Sequence, residues 1–234
     1  MAASDFVLVQ GMDDTRATLR RWNAEPGPIV GGWAAGALAV AVAMLLGVWA
    51  IATIATPDPT TLWIIGISGP VEINDVAAIL WRNSLVLALH AFACVAGFIA
   101  GASLPLTAQQ YTGISRWVHQ KARPIALTWV VMVTCFSLVT QTYILGSDGS
   151  TLSAQLGISP GMLVLTVIPH ALPELVALFL PLAAWTIASR RDEWNQLLAA
   201  TFATTAIAIP ILVASASWEA YVWPRLLELA SPYF

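Results

Sequence analysis

Residues 29–56 read IVGGWAAGALAVAVAMLLGVWAIATIAT, a stretch without one charged side chain. A bilayer's hydrocarbon core is about 30 Å thick and a helix rises about 1.5 Å per residue, so about 20 mainly apolar residues suffice to cross it. Four further windows meet that requirement, roughly 75–105, 124–146, 160–188 and 195–217. Punctuation supports these limits. Asn74 and Asp75 are placed to cap the second span, Pro124 takes the first position of the third, Ser159 and Pro160 open the fourth, and Asp192 precedes the fifth. The expected fold is an all-α integral membrane protein, a bundle of five transmembrane helices.

Composition agrees with this reading. Of 234 residues, 58% are hydrophobic and 10% charged, whereas a soluble domain devotes about a quarter to charge. A soluble enzyme and a disordered chain are both disfavoured. The net charge is −3 and the basic residues are scattered, so no nucleic-acid footprint is expected. The two cysteines, Cys94 and Cys135, lie inside apolar runs and offer neither a metal spacing nor a disulfide framework.

Lys and Arg fix the expected orientation. Arg16, Arg20 and Arg21 precede the first span, Arg116, Lys121 and Arg123 follow the second, and Arg190 and Arg191 follow the fourth, while connections 57–74 and 147–159 hold no Lys or Arg. The positive-inside rule then places the N-terminus in the cytoplasm and the C-terminus outside. Residues 1–28 form the cytoplasmic segment, 29–217 the transmembrane domain and 218–234 an external interfacial tail. The first 28 residues lack the pattern of a cleaved signal, so the first span is expected to be its own insertion signal. Within them, Met12, Leu19 and Trp22 share a helix side flanked by Arg16 and Arg20, as a membrane-surface helix or an ordinary solvated one would. Trp63, Ile64, Ile65 and Ile67 are too apolar for a free loop and are expected in the interface or folded back on the bundle. Leu226, Leu227 and Leu229 after Pro224 read as a short interfacial helix.

Ionisable groups in hydrocarbon cost at least a few kcal/mol and must face protein or water. The candidates are Arg82, Asn83, His90, His170, Glu174 and Glu219. Asn83, His90 and Gly97 recur every seven residues and so share one face, expected to be buried. Gly97 with Gly101, and Gly32 with Gly36, form GxxxG spacings that permit close helix approach. The stretch Ile168-Pro169-His170-Ala171-Leu172-Pro173-Glu174-Leu175 is the least ordinary. Pro169 and Pro173 have no amide hydrogen to give to the carbonyls of Leu165 and Pro169, so both are expected to break the fourth helix, and broken helices at membrane depth line cavities. His170 and Glu174, four residues apart, are neighbours on one helix face. They suit either a hydrogen-bonded cluster with Asn83 and Arg82 that fixes helix register, or a proton or ion pathway. A metal site is disfavoured because two ligands are too few. Glu219 lies in an aromatic belt with Trp218, Tyr221 and Trp223, at a depth comparable to Arg82. If Arg82 meets Glu219 or Glu174, the second, fourth and fifth spans are neighbours.

Three elements together resemble the stage II sporulation protein M family. Pro169-His170 with Glu174 is similar to that family's Pro-His-Gly motif followed by Glu. Trp218-Glu219-Ala220-Tyr221-Val222-Trp223-Pro224 is similar to its closing Glu-Ala-Tyr and Pro signature, and Arg82-Asn83 to its paired asparagines. The elements keep the family's order over about 150 residues. Ala171 stands where glycine is usual, Arg82 replaces the first asparagine and Pro173 is additional, which marks a divergent member. The resemblance implies a multi-pass protein of the bacterial cytoplasmic membrane. The best-known member of the family takes part in a peptidoglycan-degrading complex during engulfment in sporulation.

Three functions follow as expectations. The first is a non-enzymatic scaffold or assembly component of a cell-envelope complex, without cofactor. Its partners would be membrane lipids, cell-envelope proteins and further copies of itself, self-association running through the glycine faces. The second is a proton- or cation-linked permease or channel using the proline-broken fourth helix with His170, Glu174 and Glu219. The third, an intramembrane hydrolase built on Ser84, His90 and Glu174, lacks a nucleophile motif.

Overall fold

A computed structural model describes residues 7–103 and 112–234. In chain order its helices are α1 (Val7–Ala24), α2 (Pro26–Ile54), α3 (Ile73–Phe98), α4 (Gly113–Leu156), α5 (Pro160–Arg191), α6 (Leu197–Tyr221) and α7 (Trp223–Ala230). A π-helical turn, Ile99–Ser103, extends α3, and a 3-10 turn, Trp194–Gln196, leads into α6. No β-strand occurs among the described residues. Among the described residues five stretches are long and apolar enough to cross a membrane: Pro26–Ile54, Ile73–Ala102, Leu127–Leu156, Pro160–Arg191 and Trp194–Tyr221. Large apolar side chains such as Leu46, Trp49, Phe92, Phe136 and Phe202 lie exposed along them, a surface incompatible with water but ordinary against hydrocarbon. Of the basic residues used to orient the chain, the side chains of Arg116, Lys121 and Arg123 lie outside the described residues.

Three boundaries differ from expectation. Pro124 sits inside α4 rather than at its start, and α4 runs on to Leu156, absorbing most of the expected 147–159 connection. Asp75 does not cap its helix forward. Its Oδ2 accepts from the Glu72 amide, 2.8 Å away, reaching back across the first turn. Asp192 does not cap the fifth span either. It adopts φ 59° and its Oδ1 accepts from Trp194 Nε1 at 2.6 Å. Ser159 does cap α5, its Oγ accepting from the Met162 amide at 3.2 Å.

The chain forms two compact units, each drawing a portion from every spanning helix. The first comprises Met1–Ala37, Val86–Thr134 and Leu178–Ala208. Here α1 buries a small face of Gly11, Thr15 and Thr18, while Leu19 and Trp22 are half-buried. Met12 is exposed, and Trp22 meets Trp33 edge to face at 5.0 Å. A methyl group on Gly11 would come within 2.8 Å of Phe98, so glycine permits the approach. The glycine pairs are used within the unit. Gly36 lies against Ala183, Gly97 under Trp185 and Leu197, and Gly101 under the Trp194 ring. Side chains of the same chain thus pack on Gly36, Gly97 and Gly101, while Gly32 has only Ile187 at 3.8 Å.

The second unit comprises Leu38–Leu85, Cys135–Ala177 and Ile209–Phe234. Helices α2 and α4 cross closely where Gly47 meets Thr142 and Gly146 meets Ile51. α4 ends at Gly157, φ +67°, with the Gly157 amide on Ala154 O and the Ile158 amide on Ser153 O, the paired bonds of a Schellman motif. The segment between α2 and α3 folds back as expected. Ile64 is buried with Leu156, Leu163 and Leu227, while Trp63 stays exposed. Gln155 clamps that segment, accepting from the Leu62 amide at 2.9 Å and donating to its carbonyl at 3.1 Å. The expected tail helix is α7, anchored by the fully buried Leu227 and by Ser231 Oγ donating to Leu156 O at 2.7 Å. Val76 and Ile79 of α3 pack with Ala216 and Ala220 of α6.

Candidate functional site

Helix α5 carries His170 and Glu174 one turn apart. It is helical without interruption from Pro160 to Arg191, so the expectation that Pro169 and Pro173 break it is corrected. Each proline removes one backbone hydrogen bond. Pro169 and Pro173 are exposed and line a surface groove with Pro210 and Trp218.

On the adjacent face, His170 is 5% exposed and lines a cavity of about 270 Å³ in the second unit. Glu174, Ala171, Leu163, Val164 and Val167 of α5 share its wall with Met44 and Val48 of α2, Asp148 and Leu152 of α4, Glu219 of α6 and Trp223 of α7. The walls are mainly apolar, broken by three carboxylates and one imidazole. Helix α7 holds Trp223 in place, its Nε1 donating to Thr166 Oγ1 at 3.2 Å and its ring tilted against His170 at 5.5 Å between centroids. Neither His170 Nδ1 nor Glu174 Oε2 has a hydrogen-bond partner, although both are buried.

A second pocket of about 250 Å³ adjoins, sharing Leu62, Asp148, Leu152, Glu219 and Trp223 and adding Arg82 with Trp63, Ile64 and Ile65. Arg82 is exposed and makes no direct ion pair with Glu174 or Glu219, yet its charge acts on both, and Glu219 acts on Glu174. Asn83 is buried and interacts with Glu174, though its Nδ2 completes no hydrogen bond of good geometry. The second unit thus brings together Arg82, Asn83, His170, Glu174 and Glu219.

His90 belongs to the other unit. Its Nδ1 donates to Leu178 O at 2.8 Å, which fixes the tautomer, and its ring leans on Phe179 at 5.6 Å. Below it, Cys94 Sγ donates to Pro181 O at 3.2 Å. Asn83, His90 and Gly97 are all buried, as their seven-residue spacing predicts. Ser84 is exposed. Among the described residues no group of three or more His, Cys, Asp or Glu is placed to hold a metal ion.

Two site residues escape the sequence reading. Asp148 falls in a stretch read as a connection, so its helical register with Leu145 and Leu152 is invisible there. Trp223 reads as an interfacial aromatic, and only the turn from α6 into α7 brings it over His170.

Fold and site define a class, that of a helical protein with five spans of membrane length among the described residues and an acidic, mainly apolar cavity. No family model, curated protein or solved structure matches the chain. The likeness to stage II sporulation protein M therefore rests on the quoted residues.

Proposed function

We propose that the chain is a multi-pass protein of the bacterial cytoplasmic membrane, N-terminus cytoplasmic and C-terminus external, acting as a proton- or cation-linked permease or channel. Its path runs past His170, Glu174 and Glu219. The arginine-rich N-terminal segment, the basic 116–123 stretch and Arg190-Arg191 support the orientation. The observation that carries the function is the cavity whose wall holds a buried histidine with an unpartnered Nδ1. Polar side chains that serve only to fix helix register bond to one another, because an unsatisfied buried polar atom costs about 1–3 kcal/mol. His170 and Glu174 keep that cost, as groups at working sites do.

A second reading, a non-enzymatic scaffold of a cell-envelope complex, is favoured by the resemblance of Pro169-His170, Glu174 and the Trp218–Pro224 segment to the sporulation family. Reconstituted proteoliposomes separate the two. A cation gradient across wild-type vesicles should drive a flux, read by an internal pH or cation dye, and Glu174→Gln should abolish it while still eluting as a single folded species. Absence of flux with the wild-type protein, together with co-purification of envelope proteins, would overturn the permease reading in favour of the scaffold.

A further inference from the structure

The chemistry of the cavity wall narrows what it accepts, an inference that rests on reading the cavity as a solute site. Asp148, Glu174 and Glu219 line it and no Lys or Arg does, while Arg82 lies only in the adjoining pocket. An anion entering would meet carboxylates on the wall, with the nearest cation, Arg82, set back in the adjoining pocket. A neutral apolar molecule would leave Glu174 Oε2 and His170 Nδ1 buried without partners, at a cost in desolvation. A bare metal ion lacks a set of three ligands among the described residues. A cation beside a buried carboxyl favours its ionised form, which only accepts hydrogen bonds, so the fitting occupant brings donors, positive charge and apolar surface together. Trp223 adds an aromatic ring to the wall, a surface that attracts cations. At about 270 Å³ the space falls just below the range of about 300–1,000 Å³ that holds drug-sized ligands, so the occupant is small.

We propose that this cavity takes a small amphipathic ammonium compound, its protonated amine seated between Glu174 and Glu219 and its apolar body against Leu163, Val164 and Val167. The test is calorimetric titration of the full-length protein in lipid nanodiscs with 2-phenylethylammonium, 3-phenylpropionate and 2-phenylethanol. These share a body and differ in charge. The ammonium should bind saturably at one site, at least about tenfold tighter than the other two, a difference of about 1.4 kcal/mol. Glu219→Gln should weaken it by a similar factor, as should Asp148→Asn if the first variant does not fold, and Val164→Trp should block it sterically. Equal or tighter binding of the carboxylate or the alcohol, no saturable binding of the ammonium, or binding indifferent to these substitutions would overturn the proposal. Ammonium binding without flux would sink the permease reading alone, and flux without ammonium binding would sink this proposal alone.

Discussion

His90 and His170 are both buried, and the spacing of polar residues in the sequence treats them alike. Their surroundings separate them. His90 is bonded to the Leu178 carbonyl, whereas His170 keeps a bare Nδ1 on a cavity wall. Replacing His90 by Leu should therefore cost about 0.5–1.5 kcal/mol through the one lost hydrogen bond, with flux per folded molecule unchanged. His170→Leu should leave stability equal or higher and abolish flux. Thermal unfolding in detergent, beside the vesicle assay, checks both, and the opposite pattern would exchange their roles. The glycines divide in the same way. Gly101 lies under the Trp194 ring, so Gly101→Ala should lower stability by about 1–3 kcal/mol through overpacking. Gly31 faces open space, and Gly31→Ala should be neutral or stabilising by up to about 1 kcal/mol. The GxxxG spacing flags Gly97 and Gly101 as close-packing positions, but only the folded chain shows that tryptophans, not a helix backbone, fill them.

Helix existence was legible because five uncharged or nearly uncharged runs leave the backbone no other way to satisfy its hydrogen bonds in hydrocarbon. Helix ends were less so. Pro124 reads as a start, yet its ring is compatible with a helix that already runs from Gly113, and the polar run 147–155 reads as a loop although it is helical and buries Ser150, Thr151 and Ser153. That last misreading hid Asp148 and the clamp on the 55–72 segment. Gln155→Ala removes both clamp bonds and should cost about 1–3 kcal/mol, about 0.5–1.5 per bond, with faster amide hydrogen exchange over 56–65 as the readout. The same segment carries an acid-sensitive turn. Exposed Asp58 accepts from the Thr60 amide at 2.8 Å and from the Thr60 hydroxyl, and these bonds to the charged form hold its carboxyl below the ordinary range. A carboxyl lowered in the folded state stabilises it above the unfolded pKa, and this contribution is lost as pH falls through the folded value. Exchange at Thr60, corrected for its intrinsic rate, should quicken on acidification, and Asp58→Asn should remove that dependence.

Across the whole molecule, the polar residues of three distant segments, 82–83, 170–174 and 219–223, meet in one unit around one acidic space. The sequence shows which residues are out of place in hydrocarbon. It does not show that α7 turns Trp223 over His170 or that α4 carries Asp148 to the same wall, since both depend on tertiary contacts of Leu227 and Ile64 far along the chain. The most direct measurement is thiol accessibility on that wall. In a Cys94→Ala, Cys135→Ala background, Ala171→Cys places a thiol in the cavity and Leu165→Cys places one on the exposed face of the same helix. Ala171→Cys should react faster with a cationic methanethiosulfonate than with an anionic one, and far faster than Leu165→Cys with either. Equal rates for the two reagents, or an Ala171→Cys thiol no more reactive than the one at 165, would contradict an acidic cavity open to solutes.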